Sequence, residues 1–98
     1  MVIITFARIR HYIGAYHKSK VGLYHWCRIA EKADWSCFAD VRRSFPPVDY
    51  VGNDRYVFNI HGNKFRLIVM IHFDIRTVYI RFFGTHAEYD NIKDIQET

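Results

Sequence analysis

The sequence predicts an α+β domain in which helices pack on one face of a small, mainly antiparallel sheet. Two observations carry this. The first half of the chain places its apolar residues three and four positions apart, at Phe6, Ile9, Ile13 and Tyr16 and again at Leu23, Trp26, Cys27 and Ala30. The second half instead carries three β-branched and aromatic runs joined by short polar turns.

Val2-Ile3-Ile4 reads as a short first strand, free to pair with a later one. Thr5 is placed to cap a helix through the first of the two stripes, with Arg8, Arg10 and His11 mostly off it; Gly14 weakens that helix without forbidding it. His17 to Lys20 is a polar connection, and a second helix follows over Val21 to Ala33 with Arg28, Glu31 and Lys32 toward solvent. So short a link favours an antiparallel pair at the N-terminus. Asp34 to Phe45 is a short helix or irregular segment over the core, stopped by Pro46-Pro47. Val48 to Asp54 reads as a loop with Gly52-Asn53. Arg55 to Ile60 is a strand of alternating pattern. His61-Gly62-Asn63 is a turn whose Gly and Asn tolerate positive φ. Lys64 to Phe73 and Thr77 to Phe83 form a hairpin of long strands about the Asp74-Ile75-Arg76 turn, and Glu88 to Gln96 is a terminal helix.

The chain has 98 residues, enough for one domain with a modest core over residues 1–98. Half of it is apolar, which excludes a disordered chain. A net charge of +4 and a pI near 9.2 permit contact with phosphates without requiring it. The apolar start is too short for a signal peptide and no apolar run reaches the length of a membrane span, so a cytoplasmic protein is expected. Cys27 and Cys37 have no metal-type spacing and are expected as two reduced, buried thiols, although one disulfide is conceivable. The six histidines are scattered, without a motif such as HExxH. His86 and Asp90 stand four apart, a weak chelating pair at best, so no metal or other cofactor is expected.

Two arginines, Arg66 and Arg81, interrupt the apolar runs of the hairpin, and Gly84-Thr85-His86 and Tyr89-Asp90 follow at once. A cation inside such a run is costly unless it has a partner or a ligand. With Asn59, the Gly62-Asn63 turn, Arg66, the Val78-Tyr79-Ile80-Arg81 strand and above all Gly84-Thr85-His86-Ala87-Glu88-Tyr89-Asp90, the chain resembles the HigB-type toxins of bacterial toxin–antitoxin modules. Ala33-Asp34-Trp35 and Tyr50 to Asp54 resemble the same family, so the likeness spans nearly the whole chain. The first helix departs from the family in its His11, Tyr12, Tyr16 and His17. The resemblance implies a RelE-like fold, cleavage of mRNA at the ribosome as an mRNA interferase, and neutralisation by a HigA-type antitoxin. It also implies that Arg66 and Tyr89 occupy the places of the strand arginine and C-terminal aromatic typical of RelE-like sites.

Metal-free RNA cleavage needs a base for the 2′-hydroxyl, a cation for the phosphate and an acid for the leaving 5′-oxygen. Arg66 and then Arg81 suit the phosphate, through a planar fork that stays charged. His86 suits proton transfer, and Tyr89 suits either proton donation or base stacking. Lys64, two residues before Arg66, adds charge on the same strand face, and Asn59, Arg42 and Arg43 complete the expected RNA contacts. Plainer roles stand beside these: His86 as a turn residue, Tyr89 as a core tyrosine, Arg42 and Arg43 as a solvated face, Trp26 and Trp35 as core. An even hairpin loop puts Arg66 and Arg81 on one face and a three-residue loop puts them on opposite faces, where Arg81 instead pairs with Asp90 or Glu88. A non-catalytic RNA- or antitoxin-binding module of the same fold is the alternative function. The helical half, residues 6–33, is the expected antitoxin dock.

Overall fold

The computed structural model describes residues 1–4, 11, 12, 14 and 17–98. The stripe expected for the first helix, Phe6, Ile9, Ile13 and Tyr16, lies outside the described residues, so of the expected N-terminal pair only the second helix is described. That helix, α1 (Lys20–Lys32), buries Leu23, Trp26, Cys27 and Ala30, the four positions its periodicity selects. It follows a short 3-10 turn at His17–Ser19. Its close seat on the sheet depends on Gly22, where a Cβ would stand 3.1 Å from Ile60 Cγ2 and 3.2 Å from the His61 nitrogen. At the other end the Met1 ammonium donates to the carbonyls of Ala30, Glu31 and Ala33, adding donors and positive charge at the helix terminus where free carbonyls gather.

The segment after α1 contains α2 (Phe38–Ser44), with Val41 and Trp35 buried. Ser36 donates to Asp40 Oδ2 from its nitrogen at 3.0 Å and its hydroxyl at 2.8 Å, and Arg43 bridges Oδ1 at 2.7 Å. These bonds, those of Ser36 foremost, hold the Asp40 carboxyl below its usual range. Phe45 ends the helix before the two prolines and packs against Trp26, Trp35 and Phe58.

Five strands form one sheet in the order β1 (Val2–Ile4), β5 (Thr77–Thr85), β4 (Phe65–His72), β3 (Arg55–Ile60), β2 (Asp49–Gly52). Among the described residues only the β1–β5 pair is parallel. The expected loop at 48–54 is thus in part an edge strand. Tyr50 pairs with Tyr56, their rings 5.0 Å apart, while Asp49 and Tyr50 both stay exposed, so no alternation marks β2 in the sequence. The Thr77–Phe83 strand runs on to Thr85, and the terminal helix begins earlier than expected, as α3 (His86–Asp90), with only a 3-10 turn at Ile95–Glu97 beyond it.

One face of the sheet, carrying Tyr56, Phe58, Ile60, Leu67, Val69, Ile71, Val78, Ile80 and Phe83, shares its core with α1 and α2. Arg55, Val57, Asn59, Arg66, Ile68 and Met70 alternate to the second face. The two cysteines are free; Cys27 lies in the core, but Cys37, expected to be buried, is exposed where it precedes α2. Among the described residues no helix is long and apolar enough to cross a membrane.

Candidate active site

The second face carries a cluster at the end of β4 nearest α3. Arg66 stands there between Asn59 of β3 and Gly84 of β5. Its side chain is almost buried, and the residue is only 8% exposed. One terminal nitrogen donates to the main-chain oxygens of Asn63 and Phe65, both at 3.2 Å, and the other to Asn63 Oδ1 at 2.7 Å. Every one of these acceptors is neutral. Among the described residues no carboxylate forms an ion pair with Arg66, so its charge is aimed but not neutralised.

The β3–β4 turn makes this possible. His61 and Gly62 take positive φ, which leaves Asn63 free to cradle the guanidinium with its carbonyl and its amide oxygen. Lys64 belongs to this turn and not to the strand. It is exposed, and its carbonyl accepts the His86 N–H at 3.1 Å, which ties the start of α3 beside Arg66.

The helix α3 is five residues long and needs its cap. Thr85 Oγ1 accepts the Glu88 N–H at 3.2 Å, and Glu88 Oε1 accepts the Thr85 N–H at 2.9 Å. Gly84 lets the helix fold back, since a Cβ there would meet Phe82 Cζ at 2.8 Å and Glu88 Oε1 at 3.1 Å. The T-x-x-E spacing at Thr85–Glu88 was the sequence signal for this start.

Within α3 the four-residue spacing of His86 and Asp90 becomes a bond, Nδ1 to Oδ2 at 2.9 Å. An imidazole held this way on a carboxylate keeps its Nδ1 proton and presents Nε2 as the exchangeable nitrogen. The His86 ring meets Tyr89 edge-on at 6.4 Å, and the Arg66 guanidinium carbon lies 5.9 Å from the Tyr89 ring centroid. Burial first, then the charges of Asp49 and Asp90, raise the Tyr89 hydroxyl above its usual range against the opposing pull of Arg66. The phenol therefore stays protonated through neutral pH and keeps a proton to donate.

The structure thus gathers Arg66, His86 and Tyr89, with Asn59 and Lys64 beside them. Asn63 and Asp90 also belong to the cluster. In the sequence alone Asn63 is legible only as a turn residue and Asp90 only as an arginine partner or weak chelator. Arg81 does not join the cluster. The turn has four residues, Phe73 to Arg76, but a bulge between Ile68 and Val69 on β4 inserts Arg81 between the partners Phe82 and Ile80. Its Nε donates to the main-chain oxygen of Thr98 at 3.0 Å, and among the described residues no ion pair joins it to Asp90 or Glu88. Arg42 and Arg43 lie on α2, across the sheet from Arg66. Arg42 covers the Phe38 ring at 4.6 Å and Arg43 bridges Asp40, as residues of a solvated helix face do. Among the described residues no group of three or more His, Cys, Asp or Glu could hold a metal ion.

Comparison with known proteins gives the same direction. The sequence profile of the HigB toxins, described as the RelE-like toxic component of a toxin–antitoxin system, matches residues 19–92. The chain is 29% identical over 94 residues to the mRNA interferase HigB of Escherichia coli O6:H1, covering 94% of this chain and 91% of that one. It is 39% identical over 57 residues to the mRNA interferase toxin HigB of Escherichia coli K12, covering 55% and 54%, and equally to the mRNA interferase HigB of Shigella flexneri.

Proposed function

The chain belongs to the HigB family of RelE-like toxins, and from that premise we propose that it is an endoribonuclease that cleaves mRNA on the ribosome and is neutralised by a HigA-type antitoxin. The observation that carries the reading is the buried Arg66 guanidinium, held by neutral acceptors beside His86, Asp90 and Tyr89. A scissile phosphate seated on Arg66 supplies the missing negative charge, and supplies most of it in the transition state.

Each remaining task then has a side chain. His86 Nε2 removes the proton of the 2′-hydroxyl, whose oxygen attacks the adjacent phosphorus and forms a 2′,3′-cyclic phosphate. Asp90 holds the ring and stabilises the imidazolium that results. The bond from phosphorus to the 5′-oxygen breaks, and Tyr89 donates its proton to that oxygen. No metal is needed for these steps. Asn59 and Lys64, exposed at the rim, meet the flanking nucleotides. The outer side of α1 offers the antitoxin a separate surface, where Val21 is 81% exposed and Tyr24 half-exposed among Lys20, His25 and Arg28. Translation as the target places the protein in the cytoplasm.

Induced expression without antitoxin, with mapping of mRNA 5′ ends, tests the reading. Growth arrest with new ends inside translated regions is expected. Intact transcripts in the presence of soluble, folded protein would overturn it.

A further inference from the structure

Arg55 and Arg81 converge on one atom. The main-chain oxygen of Thr98 accepts from Arg55 Nε at 3.3 Å, from a terminal nitrogen of Arg55 at 3.0 Å and from Arg81 Nε at 3.0 Å. The other acceptors of Arg55 are the Asn53 carbonyl and the Met70 sulfur, again neutral. Among the described residues no carboxylate side chain forms an ion pair with either guanidinium. Arg55 is 9% exposed, so two cations, one nearly buried, share one oxygen. The two planar forks aim several donors at one point, an arrangement that suits an anion with several oxygens.

The position fits a strand of RNA. Arg55 pairs with Met70, four residues along β4 from Arg66 and on the same face, which is about 13 Å of strand. Between the two places lie Ile68 and the half-buried Phe82, an aromatic side chain on which a base can stack. Apart from the arginine bonds, two side-chain bonds tie the segment that fills the seat to β2 and the turn after it. Gln96 Nε2 donates to the Val51 carbonyl at 2.9 Å and Asn53 Nδ2 to the Gln96 carbonyl at 3.0 Å, both bonds exposed to water. Gly52, lacking a Cβ that would strike the Gln96 amide, admits that approach.

We propose that Arg55 and Arg81 form a second phosphate seat for the RNA strand, filled by the main-chain oxygen of Thr98 until RNA displaces the segment at residues 94–98. This rests on the ribonuclease reading and extends it by a binding step that involves no chemistry. The segment then acts as a competitor of RNA, and Arg81 acts in binding and not at the scissile phosphate.

The test uses the full chain and a short single-stranded RNA carrying 2′-deoxy sugars, so that it binds uncut, titrated over a range of salt. Arg81→Gln should weaken binding several-fold and reduce the salt slope by about 0.7, the value for one phosphate contact on a single strand. The pair Asn53→Ala with Gln96→Ala leaves both arginines in place and loosens the segment, and it should tighten binding. A parent that cuts RNA, with an Arg81→Gln variant of parental affinity and slope, overturns the seat alone. So does a loosened variant that binds no better than the parent. A folded parent that cuts no RNA overturns the reading beneath it.

Discussion

Replacing Arg66 with alanine separates a catalytic arginine from a structural one, because the two roles predict opposite balances of activity and stability. The side chain makes three hydrogen bonds, all to neutral oxygens and two of them to Asn63. Bonds from a charged donor contribute about 1.5–3 kcal/mol each to stability in favourable cases. Against that stands the cost of burying a guanidinium with no anion, several kcal/mol for an ion withdrawn from water. The terms oppose one another, so Arg66→Ala should change stability by no more than about 1–2 kcal/mol, a shift of several degrees in Tm for a chain of this size. Its effect on cleavage should be far larger. Loss of one preorganised donor to a developing charge costs about 10²–10³ in rate, or about 2.7–4 kcal/mol of transition-state stabilisation. Arg66→Lys should recover only part, since a point charge lacks the fork. The assay is single-turnover cleavage by purified protein on programmed ribosomes, paired with thermal denaturation of the same samples. Cleavage within threefold of the parent, or a rate loss that only tracks a collapse in Tm, would refute the assignment.

Other substitutions probe the neighbours. Asp90→Asn keeps the shape of the His86 partner and removes its charge, so cleavage should fall by at least about tenfold within the ~10²–10⁴ that positioned proton transfer supplies, with RNA affinity unchanged; parental rates would exclude a role for the pair. Gly84→Ala places a methyl group 2.8 Å from Phe82 Cζ and should lower stability by about 1–3 kcal/mol, read as a drop in Tm; an unchanged Tm would show that Phe82 yields freely. Burial first of all raises the Cys27 thiol from 9.0 and the Tyr56 phenol from 10.0, each to about 12. The unfolded chain releases these protons first, so stability is full below pH 9 and should fall between there and pH 12, by up to about 1.4 kcal/mol per pH unit per group. Cys27→Ala should flatten the earlier part of that fall, and a level Tm through about pH 11 would contradict the linkage.

What the sequence determined by itself is whatever rests on near neighbours. The stripe of Leu23, Trp26, Cys27 and Ala30 repeats at helical spacing, and α1 buries those four side chains. The strand at Arg55–Ile60 alternates, and β3 has those bounds. A cation in an apolar run stands out without any coordinates, and Arg66 proves to be nearly buried. Tertiary structure decided what depends on pairing between distant segments. The bulge opposite Ile68 shifts the register along β5 and takes Arg81 to Thr98, which no rule of strand alternation anticipates. The edge strand β2 exists because Tyr50 and its neighbours find β3, not because Asp49–Gly52 favours extension on its own. Asn63 becomes the cradle of Arg66 only once His61 and Gly62 have turned the chain, and His86 reaches that cradle only through its hydrogen bond to Lys64. Side-chain periodicity is a property of residues two to four apart. A site is assembled by bonds between positions tens of residues apart, such as Lys64 with His86, and those form only when the sheet closes.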